Sequence, residues 1–223
     1  MGWVAEVEVI LLAVRDDGIA DAARELAGVS ARHVVLHLSG MLDHTALAAL
    51  RPSGAALGSL HPLQAIADPE RAPERLRGAL AAIEGDARAI DVAHRLAADI
   101  GLLPITLAGG DKARYHAGAV IASNYLVVLE AYAERLFADA GMPAEMARAG
   151  LAALMRGTLD NVADQGATAL TGPIARGDVE TVRRHLDALA GAERDLYRAL
   201  GRAALALTGL PGERRRALEA LLS

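Results

Sequence analysis

The chain has 223 residues, no cysteine, 3% aromatic residues and a formal net charge of −5. The missing thiols exclude disulfides, thiolate metal sites and cysteine nucleophiles, and they suit a reducing compartment, so the expected location is the cytoplasm. The acidic balance argues against a nucleic-acid partner, which needs a concentrated basic face; the runs Arg183-Arg184 and Arg214-Arg215-Arg216 read as solvated helix faces.

The apolar run Val9 to Val14 is too short to cross a bilayer, and Glu6 and Glu8 stand where a signal peptide carries positive charge, so no membrane partner is expected. Val7 to Val14 reads instead as a buried strand, followed by a helix over Gly18 to Ala27. Val34 to Leu38 predicts the next strand, ending at Ser39-Gly40, and Asp43 to Leu50 a short helix. Ala55 to Leu60 gives a third strand closed by His61-Pro62, and Ala79 to Ile83 a fourth. A helix over Ala87 to Ile100 and a short strand over Leu103 to Leu107 follow.

This alternation predicts a parallel sheet covered by helices. From about Asp111 onward only Ala- and Leu-rich segments with helical spacing remain. Gly141-Met142-Pro143 breaks the first long helix, and Asp178 can cap a helix running to about Ala190. The expected organisation is therefore a partial Rossmann-like α/β domain over 1–108 and an all-α domain over 109–223, with the change near Gly109-Gly110.

An α/β half of this kind normally opens with strand, glycine-rich turn and helix to hold a pyrophosphate, and no G-x-G-x-x-G occurs in this sequence. The sheet reads as if it starts in the middle. Ligands of open α/β sheets lie beyond the carboxyl ends of the strands. Those ends carry Arg15-Asp16-Asp17, then Ser39-Gly40 with His37 just inside, then His61-Pro62-Leu63-Gln64. Ser-Gly and His-Pro are also ordinary turn chemistry.

Lys112 is the only lysine in the chain, against 22 arginines. A guanidinium cannot release a proton near neutral pH, whereas an ammonium can be tuned to do so. Lys112, His116 and Ser123 fall within about 40° on one helix face, with Asn124 at its edge, on a helix otherwise written in Ala, Val, Ile and Leu. Such a stripe either satisfies itself against neighbouring loops or faces a ligand cavity. His33 and His37 are too far apart along a strand, about 13 Å, to share a metal ion, and no metal site is expected. The G-x-S-x-G elbow of serine hydrolases is absent, because His37 stands two before Ser39.

On these residues the chain resembles a family of bacterial Rossmann-like proteins with a helical C-terminal domain of unknown function. It lies within the wider superfamily of 6-phosphogluconate dehydrogenase, ketopantoate reductase, pyrroline-5-carboxylate reductase and prephenate dehydrogenase. The segments carrying the resemblance are Val14 to Asp17, His37 to Gly40, His61 to Gln64, Asp111 to Leu126 and Leu170 to Asp178. The resemblance implies an NADP- or NAD-dependent reductase or dehydrogenase of a small carbonyl, imine or hydroxyacid, truncated at its nucleotide-binding end. In the hydroxyacid dehydrogenase branch a lysine followed four residues later by asparagine donates the catalytic proton. Lys112 takes the lysine place and His116 the asparagine place, which makes the substrate unlike a simple 3-hydroxyacid.

The implied roles are catalytic for Lys112 and His116, substrate-binding for Ser123, Asn124 and Arg176, and cofactor-binding for Ser39, Gly40, His61 and Gln64. A homodimer through the helical domain is the expected assembly. The alternative is a catalytically inactive module for small-ligand binding and dimerisation; a metal-dependent hydrolase is the third reading.

Overall fold

The structure, a computed structural model, describes residues 2–108 and 110–223; Gly109, half of the expected boundary dipeptide, lies outside the described residues. Two compact units divide the chain, Met1–Val127 and Val128–Ser223. The change from strands to helices falls where the sequence indicates it, and the compact sheet unit runs on to Val127. No helix among the described residues is long and apolar enough to cross a membrane.

The first unit holds five strands: β1 (Val9–Leu12), β2 (Val34–His37), β3 (Ala56–Pro62), β4 (Leu80–Gly85) and β5 (Leu103–Thr106). They lie side by side in the order β1-β2-β3-β4-β5. β1, β2 and β3 are mutually parallel, β4 runs antiparallel to β3, and β5 is parallel to β4. The sheet is thus mostly parallel, with one joint that the alternating pattern does not announce. Its cause is the connection after Pro62: only a 3-10 turn (Pro69–Arg71) and α2 (Ala72–Leu76) intervene, and Leu63 N–H already donates to Leu80 O at 2.7 Å. Without a long crossover helix the chain returns along its neighbour.

Period-two alternation sorts the strand side chains onto two cores. On one face Ile10, Leu12, Val35 and Leu57 pack with Ile19 and Ala23 of α1 (Ile19–Glu25) and with Leu47 and Leu50 of the 3-10 helix His44–Ser53. On the other, Leu36, Leu60, Ala81 and Ile83 pack with α3 (Ala87–Asp99) through Ala89, Ala93 and Ala97. That i, i+4, i+8 row of alanines lets α3 lie close to the sheet; a Cβ on Gly58 would come 3.0 Å from the Ala89 methyl and 2.8 Å from Glu84 O.

α4 (Lys112–Ala122) belongs to the sheet unit, and α5 (Asn124–Asp139) starts after a break at Ser123, whose ψ of −69° departs from helix geometry. Sequence periodicity predicts one continuous helix there, since no Gly or Pro marks the interruption. The second unit contains α6 (Ala144–Gln165), α7 (Pro173–Arg176), α8 (Val179–Ala188), α9 (Gly191–Leu207) and α10 (Gly212–Leu222). Val182, Leu186, Leu205, Leu218 and Leu222 form its core. Asp178 caps α8 as its position suggests, accepting from Thr181 N–H at 3.1 Å and Thr181 Oγ at 2.8 Å.

Gly85 closes the antiparallel joint with φ of +137°, and a Cβ there would stand 2.4 Å from Leu57 O and 2.5 Å from Gly58 Cα. Both obstacles are backbone and cannot swing aside. Gly85→Ala should therefore destabilise the chain by about 2–4 kcal/mol, read as a lowered urea midpoint.

Candidate functional site

The parallel strands β1 to β3 deliver their carboxyl ends to one rim, and the turn after β2 is tied down by side-chain hydrogen bonds. Ser39 is 5% exposed; its hydroxyl donates to Asp16 Oδ2 at 2.8 Å and accepts the N–H groups of Met41 and Leu42 at 3.1 and 2.9 Å. His37 is fully buried: Nδ1 accepts from Ser39 N–H at 3.2 Å, and Nε2 donates to Asp43 O at 3.0 Å. Burial, reinforced by the Lys112 charge, holds its pKa below the ordinary histidine value, so the ring is the neutral Nε2–H tautomer. His37 and Ser39 thus shape the turn, and neither hydrogen-bonding face of His37 is open to a ligand.

Lys112, at the start of α4, is 3% exposed. Its ammonium donates to Ser39 O at 2.6 Å and to Ser59 Oγ at 2.7 Å. Ser59 in turn donates to Glu84 Oε1 at 2.8 Å, and Glu84 Oε2 pairs with His44 Nδ1 at 2.7 Å. Burial drives the Lys112 pKa down to about 8, and the carboxylates of Glu84, Asp16 and Asp43 restrain that fall.

Beside this cluster the first unit has an open cavity of about 770 Å³ whose polar lining comes from His61, Gln64, Tyr115, His116, Ser123 and Asn124. Of the expected stripe, His116, Ser123 and Asn124 face the cavity, while Lys112 stands behind its wall. His61 and Gln64 are on the wall; Ser39 and Gly40 are behind it. Gly40 brings the turn against the histidines: a Cβ there would lie 2.8 Å from both His116 Nδ1 and His61 Nε2. His61 Nδ1 meets the Tyr115 hydroxyl at 2.8 Å, and burial, with the Lys112 charge and His116 behind it, lowers its pKa to about 4. His116 Nδ1 is buried with no hydrogen-bond partner among the described residues. A buried, unpaired ring nitrogen costs about 1–3 kcal/mol, which a polar ligand atom would relieve. Gln64 spends its amide locally, on Arg75 O and Ala65 N–H, both at 2.9 Å. Arg176 belongs to the second unit, exposed on the last turn of α7.

Sequence reasoning singles out Lys112 and misses what holds it. Ser59 is a hydroxyl inside the buried run of β3 and Glu84 a carboxylate inside β4, so both carried a signal: polar residues in a buried run require partners. Tyr115, adjacent to His116, offered no comparable mark.

The Lys112 shift carries a stability consequence. The unfolded chain keeps the ordinary value of 10.5 and the folded chain has about 8, so the unfolded state binds more protons between these limits. The burial penalty is complete below pH 8 and is relieved as pH rises. Urea unfolding from pH 8 to just under 10, below tyrosine ionisation, should show stability rising by on the order of 1–3 kcal/mol relative to Lys112→Met. A flat difference between the two proteins would mean that the ammonium is not perturbed.

A model of the family described as Domain of unknown function (DUF2520) matches residues 79–204. No curated protein matches. Among solved structures, protein TM1727 of Thermotoga maritima is similar with a TM-score of 0.75 at 28% identity, over 90% of this chain and 78% of that one. A proposed NADP oxidoreductase of Bacteroides fragilis, BF3122, gives 0.70 at 19% identity, over 91% and 78%. The pyrroline carboxylate reductase of Plasmodium falciparum, solved with NADP bound, gives 0.56 at 12% identity, over 98% and 76%. The last two likenesses are of fold alone, so the fold is one shared with NADP-dependent oxidoreductases.

Proposed function

The chain belongs to the DUF2520 family, and we propose that it is an NAD(P)-dependent oxidoreductase-like protein of the cytoplasm that reduces a small carbonyl or imine in the cavity beside His116. One observation carries this reading: a cavity at the strand ends with an unpaired buried imidazole nitrogen on its wall and the only ammonium of the chain behind it. Reduction of a carbonyl or imine places a proton on the heteroatom. We take Lys112 as the source, by relay through the wall since it does not line the cavity: two of its N–H groups are held by Ser39 O and Ser59 Oγ, and the third is left to give. His116 and the Ser123 hydroxyl bind the substrate's polar atoms, Asn124 orients it, and the apolar walls from Leu63, Ala119 and Leu126 take its body.

The two ends of a dinucleotide fare differently against these residues. The strand-to-helix junctions at the carboxyl ends of β1 and β2, where a pyrophosphate could sit, both carry carboxylates: Asp16 and Asp17 before α1, and Asp43 capping His44–Ser53 through Thr45 N–H. Carboxylates there fill or repel the place of a phosphate. The phosphate end does not fit these junctions and would have to be held by other groups, as the absence of a glycine-rich turn from the 223 residues also implies. His61 and Gln64, on the wall, are the proposed neighbours of the nicotinamide end, with Ser39 and Gly40 shaping the turn behind them.

That misfit favours the second reading, a catalytically inactive ligand-binding and dimerisation module. The histidine ring resonances separate the two. Titration with millimolar NADPH or NADH should move His61 and His116 while leaving His94 and His185 in place; rings that respond to a small ketone and not to either dinucleotide would overturn the cofactor reading.

The helical faces support the dimer. α5 has no buried residue, and Met146, Leu154, Leu159 and Val162 of α6 are about half exposed or more. Exposed apolar side chains along both helices are the kind of surface a second copy would cover. Light scattering should give twice the 23.1 kDa chain mass, and Leu154→Glu should return it to one.

A further inference from the structure

The least expected feature of the site is what lies beneath the ammonium. Ser59 and Glu84 are register partners across the antiparallel β3–β4 joint, and His37 is the partner of Ser59 on β2. One transverse row of the sheet therefore reads His37, Ser59, Glu84, at 0%, 0% and 4% exposure, in a sheet otherwise lined with Val, Leu, Ile and Ala. Three polar residues buried in one row are costly unless they serve a common partner. His37 turns aside to Asp43 O, while Ser59 and Glu84 converge on Lys112.

Three carboxylates act on the ammonium: Asp16 from the segment after β1, Asp43 from the turn after β2, and Glu84 from β4. Asp16 is exposed and Asp43 only partly covered, so solvent screens both; Glu84 alone is buried. The two histidines that feel the Lys112 charge, His37 and His61, are neutral above pH 7, and His44 faces Glu84. One oxygen of Glu84 is fixed by Ser59 and the other by His44, so its carboxylate has no freedom to swing away.

We propose that Glu84, acting through Ser59, is the positioning residue that keeps the Lys112 ammonium charged and aimed at the rim beside the cavity. The Ser59 hydroxyl accepts from Lys112 and donates to Glu84, so it passes the carboxylate's pull to the ammonium and fixes the direction of one N–H. Removing Ser59 leaves the amine buried against Ser39 O alone, and removing Glu84 leaves the Ser59 hydroxyl without the acceptor that orients it. The inference deepens the reading of Lys112 as proton source, and its test does not depend on that reading.

Because the chain has one lysine, selective 13Cε labelling yields a single side-chain resonance whose titration reports Lys112 in the intact protein, without substrate or cofactor. The wild-type midpoint is expected at about 8. Glu84→Gln, nearly isosteric, should lower it by about one pH unit, tenfold in the proton equilibrium, and Ser59→Ala should lower it by less. A folded Glu84→Gln whose midpoint is unmoved or raised overturns the inference. Should that variant lose its cooperative melting transition, Ser59→Ala decides, and an unmoved midpoint there overturns it equally. A lowered midpoint in a protein whose turnover survives Lys112→Arg removes the proton-donor reading and leaves the Glu84 assignment standing.

Discussion

Burying one ammonium at the carboxyl ends of the strands is the constraint around which the first unit is arranged. Taking such an ion out of water costs several kcal/mol even after relaxation. Its two hydrogen bonds, to Ser39 O and Ser59 Oγ, each return about 1.5–3 kcal/mol. The balance is near zero or adverse, and an apolar side chain of similar length would suit the location better on stability grounds alone. A chain that writes every other cation as arginine has placed its lysine where it contributes least to the fold. Arginine could not replace it, since a planar guanidinium presents a fork where the Ser39 carbonyl and the Ser59 hydroxyl require a compact donor.

Several features of the backbone serve that placement. The antiparallel joint sets Glu84 opposite Ser59; had β4 run parallel, its register against β3 and the side chain at that point would differ. Gly85 lets β4 end against Leu57 and Gly58 at a separation no side chain permits. Gly40 lets the turn after β2 lie against His61 and His116 while its neighbour Ser39 offers a carbonyl to Lys112. In each case the glycine is needed for the absence of an atom, and the vacated space is filled by strand backbone at Gly85 and by the cavity's imidazoles at Gly40.

The five strands were legible because each is a short apolar run bounded by turn residues, and the helices of the second unit because their caps and breakers stand in the sequence, Asp178 and Gly141-Met142-Pro143 among them. The direction of β4 was not legible, since strand polarity depends on the path of a connection and no residue in Leu80–Gly85 encodes it. The break at Ser123 was hidden for a different reason: serine neither forbids helix nor marks its end. Within the site, composition could pick out Lys112 and spacing could pick out His116 and Ser123. Their division between the inside and the outside of the cavity wall depends on how α4 is seated over Ser39 and Ser59, a tertiary fact. His37 shows the converse, a rim histidine by position whose two nitrogens are both committed to main chain.

The division between wall and interior has a chemical consequence. The cavity's polar lining is imidazole, phenol, hydroxyl and amide, with no Asp, Glu, Lys or Arg among its residues, and the His61 ring stays neutral because its pKa is near 4. A carboxylate or phosphate would find no counter-ion on this wall and would lose its hydration for neutral hydrogen bonds. A carbonyl or imine would carry no such penalty; it could meet the unpaired His116 Nδ1 in the field of the nearby buried ammonium. That field acts through protein with little solvent between, so it is screened less than a surface charge would be. In the proposed reduction it would also grow in importance as negative charge develops on the oxygen or nitrogen, the condition under which an electrostatic contact stabilises the transition state more than the bound substrate. A neutral wall with a buried cation near it would thus take an uncharged polar group without stripping the hydration of an anion, and under the proposed reduction would favour the charge that forms there.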